Sequence, residues 1–374
     1  MSQTKVEAPF VENNKPFRNY IINGDMNVWQ RATSATAVSD GSYSACDRWH
    51  FPFYSTDGAM TTERETLSVA DQATTGMYYC NLLKCTTADT SVAADSIVQM
   101  RQTIEAQYCQ PFNYGTSDAK TLTLSFYAKA NASKTYGVSL WKRDSTAYYW
   151  FQDIAVTTSW QRFEIVISPT AGSTSLITSS GGAIASDNGE GLEVSFVLAS
   201  GSNYQATADT WTSNQDFNTS NLDNFLSSTD NTFRVTGVQL EVGDQATDFE
   251  HLPFDVQERR CFRYFQTLHM TTNSIKVGGV TGTAVAQVDF EYPNGEMRTS
   301  PTITLPSVGS SSGTTAFLTL NGSYPSTIGT HSVSTVTEIH TRVTCTNYTG
   351  AFTLGHSSIF YSNGTNTFKM DAEL

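Results

Sequence analysis

"TLTLSFYAKA", residues 121–130, sets Leu122, Leu124, Phe126 and Ala128 on one side of an extended chain. Thr123, Ser125, Tyr127 and Lys129 fill the other side. A period of two is that of a strand with one buried face. The period returns along the chain. In "WQRFEIVIS" (160–168) Phe163, Ile165 and Ile167 share a face, and in "GLEVSFVLAS" (191–200) Leu192, Val194, Phe196 and Leu198 do. "NTFRVTGVQLEV" (231–242) aligns Phe233 with Val235, then shifts phase to Val238, Leu240 and Val242. The shift falls at Gly237, which predicts a bulge. "YGVSLWKRDSTAYYWFQDIAV" (136–156) holds two aromatic-rich runs around the polar turn Arg143–Thr146 and predicts a hairpin.

Such strands, divided by polar turns and with hardly a helix, predict an all-β chain. We expect a short extended N-terminal arm (1–18), a large jelly-roll-type β-sandwich (19–262) and a smaller C-terminal β-sandwich (263–374). The Ser/Gly/Asn-rich stretches 168–190 and 200–230 are expected loops. The best helix candidate is "FDVQERRC" (254–261), with Asp255 as N-cap and Glu258 three residues on. Beyond Arg263, "YFQTLHM", "TAVAQVDFEYP", "PTITLP", "TAFLTLNGS" and "SVSTVTEIHTRVTC" resume strand character.

Composition narrows the partners. Charged residues make up 15% of the 374, low against about 25% in ordinary domains. Net charge is −13, and no Lys, Arg or His occurs between Phe163 and Phe233. Phosphate binding needs Lys and Arg, so a nucleic-acid partner is disfavoured, and anionic membrane surfaces with it. No apolar run reaches the 18 or so residues of a membrane span, and the polar N-terminus lacks a signal-peptide core. The chain is therefore expected to be made and folded in a cytosol. Cys46, Cys80, Cys85, Cys109, Cys261 and Cys345 form no CxxC pair and read as buried small apolar residues.

Catalytic signatures are sparse. GxSxG occurs once, at Gly309–Gly313, in a Ser/Gly loop without the strand and helix that a nucleophile elbow requires. No catalytic residue, cofactor or metal site is assigned. Glu241, Asp244, Asp248, Glu250 and His251 fall within eleven residues. They read as the closing seam of the first domain, with a structural cation near Glu241, Asp244 or Asp248 as the other reading. "AYYWFQ" (147–152) puts four aromatic rings in a row, so two must face away from the core of a strand. Trp141, Tyr148, Tyr149, Trp150 and Trp211 are the candidate glycan-binding residues, since an aromatic face stacks on the C–H face of a sugar. The other reading is that the outward rings pack under a long loop or a neighbouring subunit.

Two segments carry a resemblance. "NYIINGDMNVWQRATS" (19–34) and "YSACDRWHF" (43–51) are followed, some two hundred residues later, by "GVQLEVGDQATDFEHLPF" and "CFRYF". This resembles a widespread group of bacteriophage virion proteins. Their opening runs roughly N-x-[IL]-[IL]-N-G-x-[FM]-x-[IV]-W-Q-R-G-[TS], then Y-x-x-D-R-W. Asn23, Gly24, Trp29, Gln30, Arg31, Asp47, Arg48 and Trp49 match it, with Ala32 where glycine is usual. The closing pattern is matched by Gly237, Gln239, Glu241, Gly243, Ala246, Thr247, Phe249, Glu250, Pro253, Cys261, Arg263 and Tyr264, with Leu252 in place of an arginine. "VDFEYPNGEMRTSPTITL" (288–305) is similar to a strand pair that commonly follows.

The resemblance covers the first domain. It implies a carbohydrate-binding-module-like jelly roll in a tail fibre, receptor-binding or other virion structural protein, located on the virion. Its partners would be other tail or capsid proteins and a host-surface glycan or receptor, with homotrimer as the expected assembly. Pro9, Phe10, Val11, Pro16 and Phe17 would attach the arm to the particle. A capsid decoration or head fibre protein is the alternative. A glycan depolymerase is a lesser one, since cleavage needs two carboxylates about 5 to 10 Å apart and no motif selects such a pair.

Overall fold

The computed structural model describes residues 17–36, 38, 43–270, 275–282, 285–305, 316–319, 330–346, 357–361 and 366–374. The chain divides between Glu258 and Arg259, with Leu374 grouped with the first unit.

The first unit contains β1 (Ser34–Ala35), β2 (Phe53–Tyr54), β3 (Ala59–Thr66), α1 (Val69–Thr75), β4 (Tyr79–Thr87) and β5 (Ile97–Glu105). After a 3-10 turn over Ala106–Phe112 come β6 (Leu122–Ala130), β7 (Lys134–Lys142), β8 (Tyr148–Val156), β9 (Gln161–Ile167), β10 (Glu190–Ser200) and β11 (Thr232–Val242). They form two antiparallel sheets, in the orders β1-β3-β4-β11-β6-β9 and β2-β5-β10-β7-β8. This is a jelly-roll-type sandwich. The inward faces are the alternating sets of the sequence. Leu122, Leu124, Phe126 and Ala128 of β6 meet Leu192, Val194, Phe196 and Leu198 of β10 in one buried cluster. The bulge in β11 is where the phase shift places it: pairing with β6 slips between Thr236 and Gln239, and Gly237 has φ +63°.

Two local features depart from the sequence reading. Helix α1 is capped by Ser68, which accepts a hydrogen bond from the Asp71 amide (3.1 Å), and it stops at Gly76 with φ +73°. The short helix α2 (Phe254–Phe262) begins one residue before Asp255, so Asp255 lies in its first turn and is not the N-cap. A carboxylate there faces the positive end of the helix dipole. The stretches 168–190 and 200–230 are loops, as expected, each with two short 3-10 turns.

The second unit, Arg259–Glu373, contains β12 (Phe265–Met270), β13 (Ile275–Gly282), β14 (Val285–Glu291), β15 (Thr302–Thr304), β16 (Ala316–Thr319), β17 (Thr330–Val336), β18 (His340–Thr346), β19 (Ser357–Tyr361) and β20 (Asn366–Asp371). A three-stranded sheet, β12-β20-β15, faces a six-stranded one, β16-β19-β13-β14-β18-β17, across Met270, Val288, Phe290, Val343, Phe360 and Phe368. The similarity over 288–305 suggested a strand pair. Instead β14 pairs with β13 and β18, while β15 pairs with β20. The GxSxG stretch and Pro9, Phe10, Val11 and Pro16 lie outside the described residues.

Candidate functional site

The carboxylate cluster of 237–251 resolves into a clasp. Glu250 accepts the backbone amides of Phe17 (2.6 Å) and Asn19 (3.0 Å). The buried Glu241 accepts the Thr247 amide (2.9 Å), the Thr247 hydroxyl (2.7 Å) and Gln239 Nε2 (2.9 Å). Arg18 Nε stands 3.8 Å from its other oxygen. Asn19 locks the same strand, accepting the Leu240 amide (3.1 Å) and donating to the Val238 carbonyl (3.1 Å). Asp244 and Asp248 are exposed, and Asp248 contributes its main-chain carbonyl, to Arg18 Nη2 (2.6 Å). The lone pairs of Glu241 are taken up by protein donors. Among the described residues no group of three His, Cys, Asp or Glu is placed to hold a metal. Glu241 and Glu250 therefore serve the seam itself.

The opening motif behaves likewise. Asn23, at φ +58°, donates to the Val28 and Asp47 carbonyls and accepts the Val28 amide. Asp47 accepts the Gln30 amide (3.0 Å), Arg48 donates to the Thr103 carbonyl (2.6 Å), and Trp49 Nε1 donates to the Asn23 carbonyl (3.2 Å). The two ends of the resemblance thus meet in one seam, made by Asn19, Gly24, Val238, Gln239 and Glu250.

The aromatic candidates separate by strand parity. Tyr148 and Trp150 face inward from β8, and Trp211 comes into the same core from the 200–231 loop. Trp150 Nε1 donates to Asp209 (3.1 Å) and Trp211 Nε1 to the Ser168 carbonyl (2.9 Å). Trp150 is 0% and Trp211 1% exposed, so neither can stack on a ligand. The expectation that they form an outer platform is corrected by their burial. Tyr149 faces outward but is covered. The 200–231 loop pairs Thr212 with its backbone and packs Phe217 edge-on to its ring at 5.6 Å. Burial pushes the Tyr149 phenol up to about 12, so it stays neutral. Trp141 remains half-exposed, with Tyr149 stacked beside it at 5.1 Å and the Arg143 guanidinium 3.8 Å over its ring.

Around Trp141 the outer face of the five-stranded sheet carries a polar layer. Register places Thr103, Glu193, Trp141 and Tyr149 in one cross-strand row, and Arg101, Ser195 and Ser139 in the next. Gln99 lies one row further, opposite Val197. Glu193 is 1% exposed. It receives Arg143 Nη1 (2.8 Å) and the Ser195 hydroxyl (3.1 Å), with Arg101 Nε at 3.5 Å. Arg143 also binds Glu190 (2.8 Å). Burial opposes the Arg143 charge, but Glu193 and Glu190 outweigh it and hold the guanidinium charged. Two cations and two carboxylates cancel here. What remains is hydrogen-bonding capacity: Gln99 Nε2, Ser139 Oγ, Trp141 Nε1, Asp153 Oδ1 and Asn218 Oδ1 are buried and find no partner among the described residues. Buried polar atoms without partners each cost about 1–3 kcal/mol. Sequence reasoning found Trp141 and Tyr149 but missed Gln99, Arg101, Ser139, Glu193 and Ser195. Their alternation with apolar residues marked them only as a solvent face.

No protein-family model matches the chain, and no curated protein does. Among solved structures it is similar to a family 4 carbohydrate-binding module, at 14% identity and TM-score 0.31, over 59% of this chain and 98% of that one. It is similar to a family 11 carbohydrate-binding module of a Clostridium thermocellum cellulosomal cellulase, at 12% and TM-score 0.30, over 57% and 97%. It is also similar to the enzymatically active domain of tailspike protein 4 of bacteriophage CBA120, at 12% and TM-score 0.29, over 61% of this chain and 22% of that one. At these values neither ligand nor activity transfers.

Proposed function

We propose that this chain is a non-enzymatic bacteriophage virion protein of the tail-fibre or receptor-binding class. It contacts a host-surface glycan through the outer face of the β2-β5-β10-β7-β8 sheet. The observation that carries the glycan reading is the half-exposed Trp141 ring, flanked by Tyr149 and Arg143 on that face. A polyol both donates and accepts at each hydroxyl, so it suits a face that mixes donors and acceptors. Glu190 and Glu193 share one arginine. An ion-paired carboxylate is a poor general acid, which favours binding over cleavage.

The virion assignment is supported by the opening and closing motifs, which join in one clasp and so belong to a single structural unit. Glu250 grips the chain at Phe17 and Asn19, which would hold the first domain firm at the end of the proposed attachment arm. A homotrimer would multiply weak sugar contacts through avidity.

Purified protein should block adsorption of the phage to its host. Trp141→Ala should raise the concentration needed by about tenfold, the loss of roughly one well-placed contact. Equal blocking by the folded variant would sink the glycan face. Labelled antibody against the protein should decorate tails; decoration confined to heads would favour the capsid reading.

A further inference from the structure

The first unit holds another cavity, of about 420 Å³, away from the polar layer. Trp29, Tyr79 and Phe254 supply its aromatic lining, and Asn27, Arg64 and Glu258 its polar groups. Arg64 is the informative one. The other arginines of the unit have acidic or carbonyl partners: Arg18 with Glu241, Arg31 with Asp47, Arg101 and Arg143 with Glu193, Arg162 with Glu164, Arg234 with Glu65, and Arg48 with the Thr103 carbonyl. Arg64 is half-buried, and its guanidinium lies 4.6 Å over the Tyr79 ring. Among the described residues it makes no ion pair. Its sequence neighbours Glu63 and Glu65 bind Lys84 and Arg234 instead. In a chain of net charge −13, an arginine held over an aromatic ring without an ion pair is pre-organised for an incoming carboxylate.

We infer that this cavity is a second ligand site, for a saccharide bearing a carboxylate, such as a uronic or sialic acid unit. Arg64 pairs with the carboxylate. Phe254, 55% exposed, offers a ring to the apolar face of the sugar. Glu258 accepts ring hydroxyls, and Asn27, whose amide nitrogen donates to Asp25, keeps its carbonyl for the same purpose. The volume lies within the roughly 300–1,000 Å³ usual for small-molecule sites.

The test titrates the full chain with oligomers of galacturonic, glucuronic and sialic acid, and with matching neutral oligomers, following tryptophan fluorescence and calorimetry. At least one acidic oligomer should bind saturably, and more weakly as salt is raised. Arg64→Gln should weaken that binding about tenfold or more, and Phe254→Ala should weaken it several-fold, both with unchanged circular dichroism. Trp141→Ala should leave it intact. Absence of binding to any acidic oligomer at millimolar concentration overturns the inference, as does wild-type affinity in folded Arg64→Gln. Loss in Trp141→Ala with retention in Arg64→Gln would move the acidic sugar to the sheet face. That would overturn this site and leave the proposed function standing.

Discussion

A methyl group on Gly24 would stand 2.0 Å from the Val238 carbonyl oxygen, while the Gly24 carbonyl already accepts the Val238 amide at 2.9 Å. The backbones of the opening and closing segments touch there, and no side chain fits between them. Gly24→Ala should therefore destabilise the first unit by about 3 kcal/mol, the upper range for overpacking, measured as a lowered denaturant midpoint. The sequence displayed Gly24 as part of a motif but gave no reason for it, because its partner lies more than two hundred residues away. The same distance hid the partners of Glu241 and Glu250, which the sequence marked only as a closing seam. Each is one half of a clasp whose other half is Arg18, Asn19 and the Phe17 amide. Trp150 and Trp141 differ in a simpler way. One sits on the inward parity of its strand and the other on the outward parity, and which parity is inward depends on where the second sheet lies.

Between elements, the β7–β8 hairpin was legible throughout: two runs, a polar turn, and Ser145 at φ +55° within it. Its anchor was not. Lys142 continues the inward set of Tyr136, Val138 and Leu140 and is 0% exposed. Its ammonium donates to the carbonyls of Asp144, Thr146 (3.0 Å) and Gly181 (3.0 Å), tying the turn to the 168–190 loop. Burial pulls its pKa down, and the three carbonyls keep the charge solvated. Lys142→Met should cost about 2–4 kcal/mol, because three carbonyls lose a charged donor together. Exchange of the amides in the 143–147 turn should accelerate in that variant, and an unchanged midpoint would contradict the anchoring. Helix α1 carried its own signal, Ser68 ahead of Asp71 and Gly76 at its end, but at seven residues it is too short for an apolar period to show.

At the scale of the molecule, the acidic chain is held by carboxylates whose folded environment favours their charge. At Glu65 burial opposes the charge, but the hydrogen bonds and charge of Arg234 win and hold the carboxyl below its ordinary range. Lys129 outweighs burial at Asp71 in the same way. The Thr56 hydroxyl lowers Asp89, and Arg342 lowers Asp289. Groups lowered in the folded state stabilise above their unfolded values, about 4 for carboxylates, and this stabilisation is lost as pH falls through the folded values. Asp25, pushed up by burial, acts in the opposite sense, one group against four. Melting temperature should thus hold from about pH 8 to 5 and fall below about pH 4. Glu65→Gln should flatten the fall for the first unit and Asp289→Asn for the second. A melting temperature that rose on acidification below that point would refute this account. By itself the sequence determined the all-β class, the hairpin, the bulge at Gly237 and the inward faces of β6, β9 and β10. Those are set by a period of two and by glycine's tolerance of positive φ, both local properties. Only the tertiary structure decided that the carboxylates form a clasp, that Trp150 and Trp211 are core, and that Gln99, Ser139 and Glu193 form one layer with Trp141. Those outcomes depend on which distant strands lie side by side, and the spacing of residues along a single strand carries no record of its neighbours.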